Sequence, residues 1–275
     1  MKEKKQRLDV ILFEQGLVPS RQKAQAVIMA GLVYCKEQKL SKAGTAISPE
    51  EIPFLEVRGN PLPYVSRGGL KLEKAIKLWD ISLTGCVCGD IGASTGGFTD
   101  CMLQNGAKFV YAVDSGYNQL DWKLRSHPQV KSLERCNARY LSEKEIPEKL
   151  DFFTVDVSFI SLKLILPPIV PLLKEEGVCL IKPQFEAGRE QVGKKGVVRD
   201  PLVHETVIKN TLSVAETLGF HVKGLSFSPI RGPEGNIEYL AYLTKKSGTY
   251  PSVNVEEVVA QSHNQEDGHA NLTQL

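Results

Sequence analysis

Asp114, Asp156 and Lys182 each close an apolar run: FVYAV before Asp114, DFFTV before Asp156 and GVCLI before Lys182. Such runs read as buried strands, and the ligands of an open α/β sheet bind at the carboxyl ends of its strands. An amine and a carboxylate brought together at that rim can hold a hydroxyl, ease the loss of its proton and stabilise the charge left on oxygen. Glu238, inside the run NIEYLAYLT, adds another acid. A strand-end lysine alone is as often a solvated residue. Its pairing with Asp156 near a ligand loop makes the stronger constellation, and Asp114 could accept hydrogen bonds from both hydroxyls of a ribose.

The ligand loop is Asp90–Phe98, DIGASTGGF, between a short apolar strand, Cys86–Ile91, and a helix beginning at Thr99. Gly92, Gly96 and Gly97 let the backbone come close to a ligand where a Cβ would clash. Three ligands compete for it. A phosphate-cradling loop requires Lys-Ser/Thr after its second glycine, but Phe98-Thr99 follows Gly97. The dinucleotide pattern GxGxxG fails because Ser94 occupies the position of its second glycine. S-adenosylmethionine has no phosphate and needs neither feature. The plain alternative is a strand-to-helix turn with no ligand.

Strand and helix patterns alternate around this loop. Lys108–Val113, Val130–Leu133, Asp151–Val157, Gly177–Lys182, Phe220–Phe227 and Asn236–Thr244 read as strands, the last two as an antiparallel edge hairpin. Leu70–Trp79, Lys163–Lys174 (interrupted by Pro167 and Pro168) and Pro201–Leu218 read as helices. The pattern predicts an α/β, Rossmann-like sheet. The stripe Phe159, Leu162, Ile165 and Leu166 reads as core packing. The polar tail from Lys245 predicts one weak helix around Val255–Ala260 followed by disorder.

With 275 residues, 42% hydrophobic and 24% charged, the chain has the composition of a soluble globular protein. A net charge of only +2 means that any nucleic-acid affinity must be local. That charge is concentrated at the start: Lys2–Thr45 holds nine Lys/Arg against four Asp/Glu. The same stretch predicts two short helices, the second capped by Ser20 and stopped at Gly31, then a strand at Leu32–Cys35 and a polar turn at Lys36–Lys42. On charge alone, Arg7, Arg21, Lys23 and Lys36 form a solvated face. The N-terminus lacks a secretory apolar region, and no run is long enough to span a membrane. Six cysteines without a CxxC pair read as reduced residues of a cytoplasmic protein, with no metal site expected.

Two resemblances sharpen these readings. The stretch RLDVILFEQGLVPSRQKAQAVIMAGLVYCKEQKLSKAGTAI resembles the S4 RNA-binding domain. That implies contacts to structured RNA, with Arg7, Arg21, Lys23 and Lys36, together with Arg67, as candidates. Residues 66–244 resemble the FtsJ-type ribose 2′-O-methyltransferases through SRGGLKL and DIGASTGGF. The resemblance implies a catalytic tetrad of Lys71, Asp156, Lys182 and Glu238. It also implies S-adenosylmethionine held by Asp90, Gly92, Ser94, Gly96, Phe98, Asp114, Asn137 and Asp156. Thr95 and Phe98 stand where that family commonly has Pro and Trp, and Asn137 where an Asp is expected; neither loop change removes a charged role.

With VSRGG, DVSFISL, IKPQFEAGRE and GVVRD, nearly the whole chain resembles the TlyA family, ribosomal RNA cytidine 2′-O-methyltransferases sometimes labelled haemolysins. The implied organisation is an α+β S4 domain (1–58), a linker (59–65), a methyltransferase domain (66–244) and a tail (245–275). The implied partners are ribosomal RNA or ribosomal subunits, with neither membrane nor DNA expected. Gln184–Arg199, with four basic residues and three glycines, predicts a mobile loop that orders over RNA or cofactor. The rivals are a non-catalytic RNA-binding or ribosome-assembly factor and a membrane-active haemolysin.

Overall fold

A buried carboxylate organises the first of the two units into which the chain divides, Met1–Pro63 and Tyr64–Leu275. The computed structural model describes residues 5–18, 20–29, 31–58, 63–232 and 234–264. In the first unit, β1 (Gln6–Arg7) leads into α1 (Leu8–Glu14), followed by α2 (Arg21–Met29), β2 (Val33–Cys35), β3 (Gln38–Leu40), β4 (Ala46–Ile47) and β5 (Leu55–Val57). Asp9 on α1 is fully buried and accepts hydrogen bonds from Arg7 (2.9 Å), Arg21 (3.2 Å) and Gln25 (3.2 Å). These partners hold its carboxyl far below the usual range, the Arg7 hydrogen bond outweighing burial. Leu8, Ile11, Leu12, Val27, Ile28 and Val33 make the small core beside it. Ser20 Oγ accepts from Lys23 N at 3.1 Å, and α2 stops before Gly31, whose φ is +68°. The polar segment after Cys35 forms a hairpin, with β2 pairing β3 antiparallel and Lys36 at the turn with φ +55°. The predicted linker falls largely on residues 59–62, outside the described ones.

The second unit begins with α3 (Gly68–Trp79), β6 (Val87–Ile91), α4 (Gly97–Gln104), β7 (Phe109–Val113), the single-turn α5 (Trp122–Arg125), β8 (Val130–Leu133) and β9 (Leu150–Val155). It continues with α6 (Leu162–Ile169), β10 (Leu173–Ile181), the single-turn α7 (Pro183–Glu186), α8 (Pro201–Thr217), β11 (His221–Phe227), β12 (Tyr239–Thr244) and α9 (Val255–Asn264). The strand order is β11-β12-β10-β9-β6-β7-β8, and β12 runs antiparallel to both of its neighbours. The remaining pairings are parallel, as an α/β fold requires.

Alternation along each strand explains why the sequence shows unbroken apolar runs. Cys88, Val110, Phe152, Val178, Leu180 and Tyr242 pack against α3 and α4. Their neighbours Ile91, Tyr111, Phe153, Val155, Cys179 and Ile181 pack on the opposite face against α6, α8 and α9. Both faces are covered, so both parities must be apolar. Packing is tight at the centre: a Cβ on Gly177 would sit 2.0 Å from the ring of buried Phe153.

Three local features depart from the sequence reading. The helix at 163–174 ends earlier, at Ile169, running through Pro167 and Pro168 without interruption, and after a tight turn at Val170–Leu172 β10 takes over from Leu173. Glu238 lies in the turn ahead of β12 and not within the strand. The C-terminal helix runs to Asn264 and buries Val255, Val259 and Ser262; the disorder expected after it falls on residues 265–275, outside the described ones.

Candidate active site

From β6 the chain proceeds to β7 and β8 on one side, then crosses back to β9 on the other. This reversal opens a crevice at the carboxyl ends of β6 and β9, the usual ligand position in such sheets. Gly92, with φ +89°, turns the chain there; a Cβ on it would lie 2.5 Å from the backbone oxygen of Asp156. Gly92 N and Ala93 N both donate to Val113 O, at 2.8 and 3.0 Å, which brings the loop over the end of β7. Ser94, at φ +48°, then donates its backbone N–H to Asp114 Oδ2 at 2.7 Å, while Gly116 N donates to Oδ1 at 2.7 Å. The carboxylate is thus fixed by the backbone, with lone pairs remaining for a ligand. A cleft of about 460 Å³ opens here, lined by Gly92, Ser94, Asp114, Asn137, Asp156 and Phe159 among others. Asn137 Oδ1 accepts from Arg139 N at 3.1 Å, so its NH₂ is the end left to donate.

Not every predicted cofactor residue reaches this cleft. Asp90 is fully buried beneath the loop, where it accepts from Thr99 Oγ1 (2.6 Å) and Thr154 Oγ1 (3.1 Å) and ties α4 to β9. Burial raises its pKa to about 6. Phe98 is 3% exposed and belongs to the core under α3. Gly96 (φ +95°) caps the start of α4, and a Cβ there would meet Leu124 and Leu120 of the neighbouring segment. These three residues shape the loop from behind and do not line the cleft.

Asp156 lines the cleft, and Lys182, Lys71 and Glu238, which do not, join it from three further elements in a continuous chain of charge. Lys182, just past β10, places Nζ 2.6 Å from Asp156 Oδ1. Asp156 Oδ2 lies 3.3 Å from Lys71 Nζ on α3, and Lys71 lies 2.7 Å from Glu238 Oε2. Lys71, Lys182 and Glu238 are 8%, 7% and 2% exposed, so the chain is largely withdrawn from water. Burial alone would push Lys71 down, but Asp156 and Glu238 together hold it above the ordinary lysine value. Asp156 is held below the ordinary aspartate value, because Lys71 and Lys182 outweigh its own burial. Two ammonium groups against two carboxylates leave the cluster neutral, which makes its burial tolerable. The turn before β12 is fitted to this purpose: a Cβ on Gly232 would come within 2.8 Å of Glu238 Oε1.

Neighbouring groups absent from the sequence reading complete the site. Lys182 Nζ donates to Ser158 Oγ at 3.0 Å. Phe159, read as core, is instead 90% exposed at φ +62° and lines the cleft, with its ring 4.9 Å from that of Phe185. Leu162, Ile165 and Leu166 of the same stripe are buried. Glu186 holds the two segments together, accepting from Ser161 Oγ (2.6 Å) and Leu162 N (2.7 Å). The available signal was position: Ser158 and Phe159 lie two and three residues past a strand-end aspartate, where periodicity no longer applies. A non-glycine residue at positive φ that exposes a large ring to solvent is a costly arrangement.

Among the basic candidates, Arg7 and Arg21 are half-exposed and partly engaged in holding Asp9. Lys23 is half-buried on α2, and Lys36 lies 4.6 Å over the Phe54 ring. Arg67 belongs to the second unit, exposed at the start of α3. Among the described residues no cluster of His, Cys, Asp and Glu forms a metal site, and no helix is long and apolar enough to cross a membrane.

The family model for FtsJ-like methyltransferases matches residues 64–245, and that for S4 domains matches residues 6–52. The chain is an FtsJ-like methyltransferase of the TlyA family. It is 42% identical to the 16S/23S rRNA (cytidine-2′-O)-methyltransferase TlyA of Mycobacterium tuberculosis, over 86% of this chain and 89% of that one. It is 44% identical to Hemolysin A of Brachyspira hyodysenteriae, over 86% and 98% of the respective chains. A solved structure from Streptococcus thermophilus, carrying the name hemolysin, is 48% identical with a TM-score of 0.73, over 94% of this chain and 96% of that one. The TlyA family therefore accounts for nearly the whole length of the sequence, and the two names attached to its members meet in one fold.

Proposed function

We propose that this protein transfers a methyl group from S-adenosylmethionine to the 2′-hydroxyl of a cytidine ribose in 16S or 23S ribosomal RNA. The observation that carries the reading is the linked series Lys182–Asp156–Lys71–Glu238, which meets the cleft at Asp156 and is joined by contacts of 2.6, 3.3 and 2.7 Å. The named mycobacterial relative supplies the nucleotide and the RNA class.

The cleft suits the cofactor on its own chemistry. About 460 Å³ is within the range of small-molecule sites. The oriented carboxylate of Asp114 matches two ribose hydroxyls, and the NH₂ of Asn137 matches a ring nitrogen of adenine. Gly92 and Ser94 line the methionine side. When bound, the cofactor supplies an activated sulfonium methyl.

The remaining work is alignment and deprotonation. A ribose hydroxyl is a poor nucleophile at neutral pH, and holding it in line with the methyl can lower the barrier by about 7–11 kcal/mol. Lys182 holds that hydroxyl and neutralises the charge developing on oxygen as its proton passes to bulk water. Asp156 orients Lys182, while Lys71 and Glu238 fix Asp156 from the other side. The exposed ring of Phe159 gives a base displaced from its stack an aromatic face. The S4 domain contributes phosphate contacts, and an rRNA substrate implies action in the cytoplasm, where ribosomes are.

The test is transfer of labelled methyl to purified ribosomal subunits, with the modified nucleotide mapped in cells with and without the protein. A cytidine 2′-O-methyl mark that disappears with the protein is expected. Identical maps, with no label incorporated in vitro, overturn the reading.

A further inference from the structure

The segment whose composition reads as a mobile loop has a built interior. In the turn 193–199, Gly193 N donates to Val197 O (3.1 Å), and Gly196, at φ +72°, donates to Gly193 O (2.8 Å). Val198 is 2% exposed, and its N–H donates to Asn236 Oδ1 at 3.1 Å. Asn236, itself 3% exposed, donates through Nδ2 to Gly196 O at 2.9 Å. A second attachment runs through buried His204, whose Nε2 lies 3.0 Å from Val198 O and whose Nδ1 lies 2.7 Å from Tyr239 Oη. The turn therefore hangs from Asn236 and Tyr239, the residues that bracket Glu238 in the chain.

Its outer side is cationic. Lys194, Lys195 and Arg199 are exposed, and none has an ion-pair partner among the described residues. With Gln191 and Asp200 they rim a hollow of about 330 Å³. The one carboxylate there is already engaged: Asp200 Oδ1 accepts from Leu202 N at 3.0 Å and caps α8. Solvated lysines on a loop need no concavity and no buried asparagine beneath them. A fixed backbone that gathers three cations around a hollow is suited to a compact anion.

We propose that this hollow is a phosphodiester site for the RNA substrate, and that Asn236 is a positioning residue that keeps it in register with Glu238. The inference rests on the rRNA reading above and adds a contact point on the methyltransferase unit. Each phosphate neutralised by a cation releases counterions, with a slope of about 0.7–0.9 in log K against log salt.

The experiment measures binding of the full chain to 16S and 23S rRNA over a salt series, alongside methylation kinetics. The triple variant K194A/K195A/R199A is expected to flatten the salt slope by about 2. At fixed salt it should weaken RNA binding by about tenfold or more, raise KM, leave kcat within about twofold and leave S-adenosylhomocysteine affinity unchanged. Asn236→Ala, which keeps every charge, should raise KM with the salt slope retained. Where the triple variant folds poorly, Lys194→Gln and Lys195→Gln singly should each lower the slope by just under 1. An unchanged slope and affinity in variants of an RNA-methylating parent overturns the phosphate site and leaves the enzymatic reading standing. A parent that neither binds nor methylates rRNA overturns both.

Discussion

Glu238 Oε2 and Lys71 Nζ meet at 2.7 Å, linking the turn before β12 to α3 across the sheet's carboxyl edge. Each is almost excluded from water, and Lys71 is held above the ordinary lysine value by Asp156 together with Glu238. Removing one partner of a buried pair costs about 3–5 kcal/mol because the remaining charge is left uncompensated. Because Lys71 keeps Asp156, Glu238→Ala should lower the unfolding free energy by no more than that range, and Glu238→Gln, which leaves the same charge uncompensated but keeps shape and an acceptor, by somewhat less. Both should reduce kcat by about tenfold or more through loss of alignment. Urea denaturation with single-turnover methylation checks this; a Glu238→Ala protein of near-parental stability would remove the pair from the account.

Lys182→Ala should abolish methyl transfer while cofactor affinity stays within about threefold of the parent. Loss of one charge-stabilising donor typically costs about 10²–10³ in rate. Lys182→Arg should not restore it, because a planar guanidinium cannot replace a compact ammonium held between Asp156 and Ser158. Turnover near the parental rate in either variant contradicts the assignment.

Asp114 serves the loop as well as the ligand, since both of its oxygens accept backbone N–H groups. Asp114→Ala should therefore weaken S-adenosylmethionine binding by about tenfold or more, leaving RNA affinity unchanged, because two charge-assisted hydrogen bonds and the loop's anchor go together. Calorimetric titration of cofactor, beside filter binding of RNA, separates the two effects. Equal losses in both would mean that Asp114 supports the unit as a whole.

Phe159 exposes its ring at a backbone angle unfavourable to any side chain but glycine's. The ring is 90% exposed and touches the Phe185 ring, so it adds little to stability. Phe159→Ala, which keeps a Cβ at the same strained angle, should leave the melting temperature nearly unchanged, while reducing methylation of folded RNA by about tenfold, in line with about 1–3 kcal/mol per stacked base. Unimpaired methylation together with a fall in melting temperature would mark the ring as a packing residue.

Sequence patterning carried the sheet because both of its faces are covered, so every central strand reads as an apolar run with a charged residue where it emerges. Asp114, Asp156 and Lys182 were legible for that reason. Lys71 was not, since nothing in a helical lysine's neighbours announces that α3 packs it against a strand end; only the resemblance to a family supplied it. Asp90 was legible as part of the loop but not in its orientation, because a strand residue one position from the turn can point to either face. Phe159 was misplaced because its apolar character joined a helical stripe that begins only at Leu162. The anchors of the cationic turn, Asn236 and His204, were not legible because they lie far along the chain from it.

His204 offers a pH test that avoids the reacting groups. Its imidazole is 1% exposed and burial lowers its pKa to about 4, from 6.5. A buried base kept neutral contributes stability that is fully present above its unfolded pKa of 6.5 and is lost as pH falls through 6.5 toward about 4. At pH 7.5, His204→Gln should be less stable than the parent by about 1–3 kcal/mol, because Val198 O and Tyr239 Oη lose their partner. As pH falls below 6.5 the parent should weaken faster than the variant, by as much as about 1.4 kcal/mol per pH unit, so the gap narrows. His263, 3.3 Å away and also lowered by burial, is coupled to His204, so the comparison is made in a His263→Gln background shared by both proteins. Urea unfolding at four pH values between 7.5 and 4.5 measures that gap, and a gap that stays constant would show that His204 is not the proton-sensitive element behind the 193–199 turn.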